Sequence, residues 1–169
     1  MTPEQAFDEY HQAVYDLAYR LTRRTDLAED IVQECFLAFV RTPERYDPAR
    51  GTVKTFLFSI ARNLTLKHYR DHRAEDGLEE NDLPEPFDPR QGLDTTIAVS
   101  VAVNAAVACL PSLQQEALVL FELGGSTLEE IAHIVGADVG TVKSRLHRAR
   151  ARLRRTLAAY GRDLHAIGK

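Results

Sequence analysis

The run from Gly77 to Gly92, GLEENDLPEPFDPRQG, holds three prolines and five acids against the single base Arg90. Each proline fixes φ and removes a backbone donor, and the few apolar residues bury too little surface to order the run. A flexible acidic linker is therefore expected over 75–92, between folded units at 1–74 and 93–169. No internal repeat is present.

Both units read as helices. Phe7, Tyr10, Val14, Leu17, Ala18 and Leu21 recur at three- and four-residue steps and make one amphipathic face. Asp26 is the expected N-cap of a second helix, with Leu27, Ile31, Cys35, Ala38 and Phe39 inward and Asp30, Gln33, Glu34 and Leu37 outward. The loop RTPERYDPARG leads to a third helix with Val53, Phe56, Leu57, Ile60, Ala61 and Leu64 as its apolar stripe. Lys54, Arg62, Asn63, Lys67, Tyr69 and Arg70 lie outside that stripe.

Beyond the linker, an Ala/Val-rich helix is expected from about Leu93 to Cys109, stopped by Pro111, and another from Ser112 to Leu123, stopped by Gly124-Gly125. Ser126 with Glu129, and Thr127 with Glu130, both fit the capping-box spacing for a short helix. No segment alternates at period two over a useful length, so the expected class is all-α, two small helical domains.

The formal net charge of −4, taken alone, argues against a nucleic-acid partner. Its distribution argues the opposite. Residues 1–74 are neutral, residues 75–108 carry −7 and residues 109–169 carry +3. Val139 to Arg155 contains Lys143, Arg145, Arg148, Arg150, Arg152, Arg154 and Arg155 and no acid. At about 100° per residue, Val142, Leu146, Ala149, Leu153 and Leu157 share one arc, while Thr141, Ser144, Arg148 and Arg155 face away. Solvated helix faces ordinarily interleave acids for i,i+4 pairing, and this one does not. Two helices joined by the short turn Gly136-Ala137-Asp138, the second with a basic and hydroxyl-rich outer face, have the form of a DNA-binding helix-turn-helix. The acidic run is expected to repel DNA or screen this helix in the free protein.

Hydrophobic residues make up 44% of the chain, enough for a core. No stretch of about 18 apolar residues is present, so no membrane insertion is expected. The N-terminus MTPEQAFDEYH does not have the form of a signal peptide. Cys35 and Cys109 are read as small core residues. His68 and His72, four apart with no third ligand evident nearby, are read as part of an exposed helix end. No phosphate loop, nucleophile elbow or carboxylate pair stands out, so no catalytic, cofactor or metal site is expected.

The segments DLAEDIVQECFLAF (26–39), GTVKTFLFSIARN (51–63) and STLEEIAHIVGADVGTVKSRLHRARARLR (126–154) together resemble the extracytoplasmic-function (ECF) sigma factors of bacterial RNA polymerase, group 4 of the sigma-70 superfamily. The resemblance implies a region 2-like domain at 1–74 that docks on core RNA polymerase and helps melt the minus-ten element. It implies a region 4-like domain at 93–169 that reads the minus-thirty-five element. It puts Asp30, Gln33, Glu34 and Phe36 at the polymerase-binding surface. Minus-ten contacts would fall to Asn63, with Tyr46 and Phe56 offering stacking surface and Lys54 and Arg62 near the backbone. Minus-thirty-five contacts would fall to Thr141, Lys143, Ser144, Arg145, His147 and Arg148. The chain departs from the family pattern in placing Val53 and Phe56 where Phe and Trp are usual, and Lys67 where an Asp is common. The resemblance further implies a cytoplasmic bacterial protein, no enzyme in itself because the polymerase performs nucleotidyl transfer, and an anti-sigma factor as a partner. The alternative from the residues alone is a stand-alone helix-turn-helix regulator.

Overall fold

The computed structural model describes residues 1–76 and 95–167. The expected linker lies outside the described residues except for Glu75 and Asp76, which continue a helix, so its proposed screening role lies outside them too. Among the described residues, seven α-helices follow in order: α1 Pro3–Thr22, α2 Thr25–Arg41, α3 Val53–Asp76, α4 Thr95–Ala108, α5 Ser112–Glu122, α6 Leu128–Val135 and α7 Val139–Ile167. A single 3-10 turn, Pro43–Arg45, interrupts the loop between α2 and α3. The all-α class holds among the described residues, which contain no strand.

Local chemistry sets the helix ends. Thr2 opens α1 with a reciprocal capping box: its hydroxyl accepts from the Gln5 N–H at 3.2 Å, and the Gln5 side chain accepts from the Thr2 N–H at 2.8 Å. Helix α1 closes at Arg23, the one described non-glycine residue in the left-handed region (φ 58°). That conformation is held by a 2.7 Å bond from the Arg23 N–H to the Tyr19 carbonyl and a 2.9 Å bond from its guanidinium to the Asn104 carbonyl of α4.

At α2 the expectation fails in one detail. Asp26 is not the N-cap; Arg24 occupies that position without a side-chain cap, and Asp26 falls within the first turn. Its carboxylate accepts from the Arg24 guanidinium at 2.6 Å and 3.2 Å. An acid in the first turn favours the helix through its dipole without bonding the terminal N–H groups, and that is what the sequence signal reflected.

Helices α1, α2 and α3 pack on one another, and α5 and α6 pack on α7. The two groups are also joined: α3 packs on α6 and α1 on α5, so Leu57, Phe58 and Ala61 of α3 belong to one core with Ala117, Leu120 and Ile131. The stripe expected on α3 therefore describes only one of its faces. Phe58 is fully buried and Thr55 nearly so, because the face beyond the stripe is covered by residues from after position 110. Gly124 permits this approach. A Cβ there would lie 2.8 Å from the Phe58 ring and 2.6 Å from the Leu120 carbonyl oxygen.

Helix α5 is buried over five consecutive residues, Glu116 to Leu120, as befits an element enclosed on several sides. Of the two cysteines, Cys35 is core, donating to the Leu57 carbonyl at 3.3 Å. Cys109 is exposed, contrary to expectation. It follows α4, whose alanines and valines point in every direction and so do not mark which side packs. His68 and His72 are half-buried rather than exposed, with ring centroids 4.1 Å apart.

Candidate nucleic-acid interface

Three surfaces collect the residues singled out from the sequence. The first is the outer face of α7. Its start is fixed from both sides: Thr127 and Glu130 form the capping box of α6, and Gly136 ends α6 in the left-handed region (φ 67°). Of the two capping-box registers, the structure uses Thr127, whose hydroxyl accepts from the Glu130 N–H at 3.2 Å while Glu130 accepts from the Thr127 N–H at 2.8 Å. Asp138 then accepts from the Thr141 N–H at 2.6 Å, capping α7. That bond, followed by the Thr141 hydroxyl and the charge of Arg145, holds the Asp138 carboxyl below its ordinary value.

With the turn fixed, Val142, Leu146 and Ala149 are buried, and Lys143, Ser144, His147 and Arg148 are exposed together on the other side. Thr141 and Arg145 are half-buried at the margins. Arg150 is engaged within the protein, donating to Glu122 at 3.0 Å and lying over the Phe121 ring. The exposed remainder is two cations, an imidazole and a hydroxyl on a helix of a width that fits the DNA major groove.

The second surface surrounds the N-terminal end of α3. Tyr46 and Phe56 meet with ring centroids 5.6 Å apart, and Phe39 backs both at 6.4 and 6.2 Å. Beside them is a cavity of about 140 Å3 lined by Arg45, Arg50, Thr55, Ser59 and His133 as well as the two rings. Aromatic faces, hydroxyls and two arginines can take an unstacked base with its phosphate. Lys54, Arg62 and Asn63 do not line this cavity. The Lys54 ammonium lies 5.5 Å from the Phe58 ring centroid, and Asn63 is exposed. Arg62 is paired through its guanidinium with Glu116 of α5, both side chains largely enclosed (16% and 9% exposed). Glu116 and Thr55 were not picked out from the sequence. The available signal was a lone acid, Glu116, beside the apolar run ALVLF.

The third surface is a groove between α1 and α2, about 650 Å3, lined by Phe7, Asp8, Gln33, Phe36, Leu37 and Val40. Asp30, Gln33 and Glu34 are exposed on α2. Phe36, expected at the surface, is only 7% exposed; its ring meets Phe7 edge-on at 5.0 Å and forms part of the groove wall. Leu37 and Val40 leave about half their surface open. Apolar side chains in a groove with carboxylates along it suit a basic amphipathic helix. Among the described residues, no three His, Cys, Asp or Glu side chains are placed to hold a metal, and no helix is long and apolar enough to cross a membrane.

Models of sigma-70 region 2 and sigma-70 region 4 match residues 6–75 and 100–153. The ECF RNA polymerase sigma factor SigE of Mycolicibacterium smegmatis is 34% identical over 162 residues, covering 92% of this chain and 61% of SigE. The ECF RNA polymerase sigma factor EcfG of Rhodopseudomonas palustris is 32% identical over 146 residues, covering 86% of this chain and 80% of EcfG. Among solved structures, the sigma factor RpoE in complex with the anti-sigma factor NepR from Bartonella quintana superposes with a TM-score of 0.74 at 28% identity. That match covers 92% of this chain and 96% of RpoE.

Proposed function

This chain belongs to the ECF RNA polymerase sigma factors, and from that premise we propose that it docks on core RNA polymerase, directs it to promoters and assists melting. The observation that carries the DNA-reading half is the outer face of α7, where Lys143, Ser144, His147 and Arg148 stand exposed on a helix capped at a fixed turn. Phosphate contacts would position that helix, while arginine and hydroxyl contacts to base edges would discriminate the minus-thirty-five element.

Residues 1–74 act as the docking and melting unit and 93–169 as the upstream reader. Asp30, Gln33 and Glu34, with the groove walled by Phe36 and Leu37, hold a helix of the polymerase through apolar contact and charge. The cavity beside Tyr46 and Phe56 takes an extruded base of the non-template strand, with Asn63, Lys54 and Arg62 along the path of that strand. A pocket of this kind offsets the few kcal/mol required to unstack a base. The polymerase supplies the catalytic chemistry, so the chain itself acts as a specificity subunit in the bacterial cytoplasm. By analogy with the NepR-bound relative, an anti-sigma factor covers one or more of these surfaces until released.

Co-purification with core polymerase tests the docking half. The wild-type chain is expected to form a complex that the double substitution Asp30→Lys, Glu34→Lys weakens. No association, together with tight promoter binding by the free chain, would favour a stand-alone helix-turn-helix regulator instead.

A further inference from the structure

His68 and His72 stand one turn apart on α3, so helical geometry sets both side chains on the same face. Their ring centroids lie 4.1 Å apart, with the planes tilted by 36°. His68 Nε2 and His72 Nδ1 are both shut off from solvent, and neither has a hydrogen-bond partner. Tyr69, next to His68 in the chain, donates to the Leu21 carbonyl at 3.0 Å and fastens this stretch of α3 to α1.

A neutral imidazole carries one lone-pair nitrogen and one N–H, and a buried nitrogen left unpaired bears its full desolvation cost. A bond between the two rings would satisfy both nitrogens, and none is formed. An ion accepting both lone pairs would satisfy them together. Histidines at i and i+4 on one helix face are a recurrent chelating pair, and imidazole suits zinc, nickel and copper. An ion bonded at about 2.1 Å to one nitrogen of each ring sets the ring centres roughly 4.5 Å apart at a right-angled bite. A small rotation of either side chain reaches that spacing.

We propose that His68 and His72 form a two-imidazole site for a divalent transition-metal ion of the zinc, nickel and copper class. Among the described residues no third His, Cys, Asp or Glu completes the set, so water fills the remaining positions. The rings are half-buried, which leaves the ion a side open to solvent. An ion held this way staples two successive turns of α3 and, by binding the folded helix, raises the stability of the chain. The site uses none of the residues assigned above to polymerase or DNA, so it stands apart from that reading.

Titration calorimetry of the untagged full-length chain, first stripped of metal with a chelator, is run with NiCl2 and with ZnCl2 near neutral pH. The wild type is expected to take up one ion per chain and to melt at a higher temperature with metal than without. His68→Gln and His72→Gln should each weaken binding by about tenfold or more, the least that loss of even an outer-shell partner brings. Each should also lose the metal-dependent rise in melting temperature. His11→Gln, which changes a histidine of α1, should retain both.

No saturable binding, or binding that both α3 variants retain, would overturn the site. Equal weakening by His11→Gln would overturn it too, marking adventitious uptake by scattered histidines only. Should circular dichroism show an α3 variant unfolded, imidazole NMR of the wild type decides the question. The His68 and His72 signals must then shift together, ahead of the other four histidines, as one equivalent of Zn2+ is added. A uniform shift of all six would contradict the site.

Discussion

At the scale of single residues, burial separates side chains that look alike in the sequence. Cys35 and Cys109 share a residue type, yet the first is enclosed and its thiol is pushed up to about 12 by burial. The second is exposed. Alkylation of the folded protein with iodoacetamide at neutral pH should therefore modify Cys109 and leave Cys35 unmodified until denaturant is added. Mass spectrometry of the peptides reads the outcome, and equal labelling of both would contradict the core assignment. Among the exposed cations of α7, Arg148 lies on the side away from the buried arc of Val142, Leu146 and Ala149. Arg148→Ala should cost roughly 1–3 kcal/mol of promoter discrimination at one base pair, measured by binding or transcription over single-base promoter variants. A uniform loss across those variants would make Arg148 a phosphate contact instead.

Secondary-structure elements differ in how legible they were. Helix α7 was readable because it is long, its apolar arc is regular, and its cap lies three residues before Thr141. The α6 cap was readable as one of two registers, Ser126 with Glu129 or Thr127 with Glu130. Only the structure distinguishes them, with Ser126 buried and Thr127 bonded. Helix α3 was half legible: its stripe faces α1 and α2, but Phe58 and Thr55 are buried by residues whose approach no local pattern encodes. Helix α4 was legible in extent alone, since alanine and valine on all sides carry no direction. The candidate site followed the same rule. Residues on a regular helix face were found by periodicity, whereas Glu116 and its partner Arg62 depend on a contact between halves.

The α7 cap also predicts a pH effect. The Asp138 carboxyl titrates below its ordinary value when folded, so it contributes stability above its unfolded-state pKa and loses that contribution as pH falls through the folded value. Asp138→Ala should therefore be less stable than wild type at neutral pH. The gap between the two urea-denaturation midpoints should narrow as the solution is acidified below the ordinary carboxylate range. A gap independent of pH would mean that the ionised cap is not the source.

For the whole molecule, the acidic Pro-rich run pointed to two units, and α3 joins them into one core across contacts with α5 and α6. Placement of the two halves depends on close approaches such as Gly124 against Phe58, which no local sequence pattern encodes. The net charge of −4 misleads for a related reason: it averages a neutral half, an acidic run and a basic helix face. Each surface described here suits one step of promoter use, namely groove for polymerase, cavity for an unstacked base, and α7 for the upstream element. The most direct measurement of that account is run-off transcription by purified core RNA polymerase over a promoter library, with and without the full-length chain. Transcripts with defined start sites that require the chain, and share an upstream motif lost in their response to Arg148→Ala, are the predicted result. No chain-dependent transcript from any template, with no complex formed between the chain and core polymerase, would contradict it.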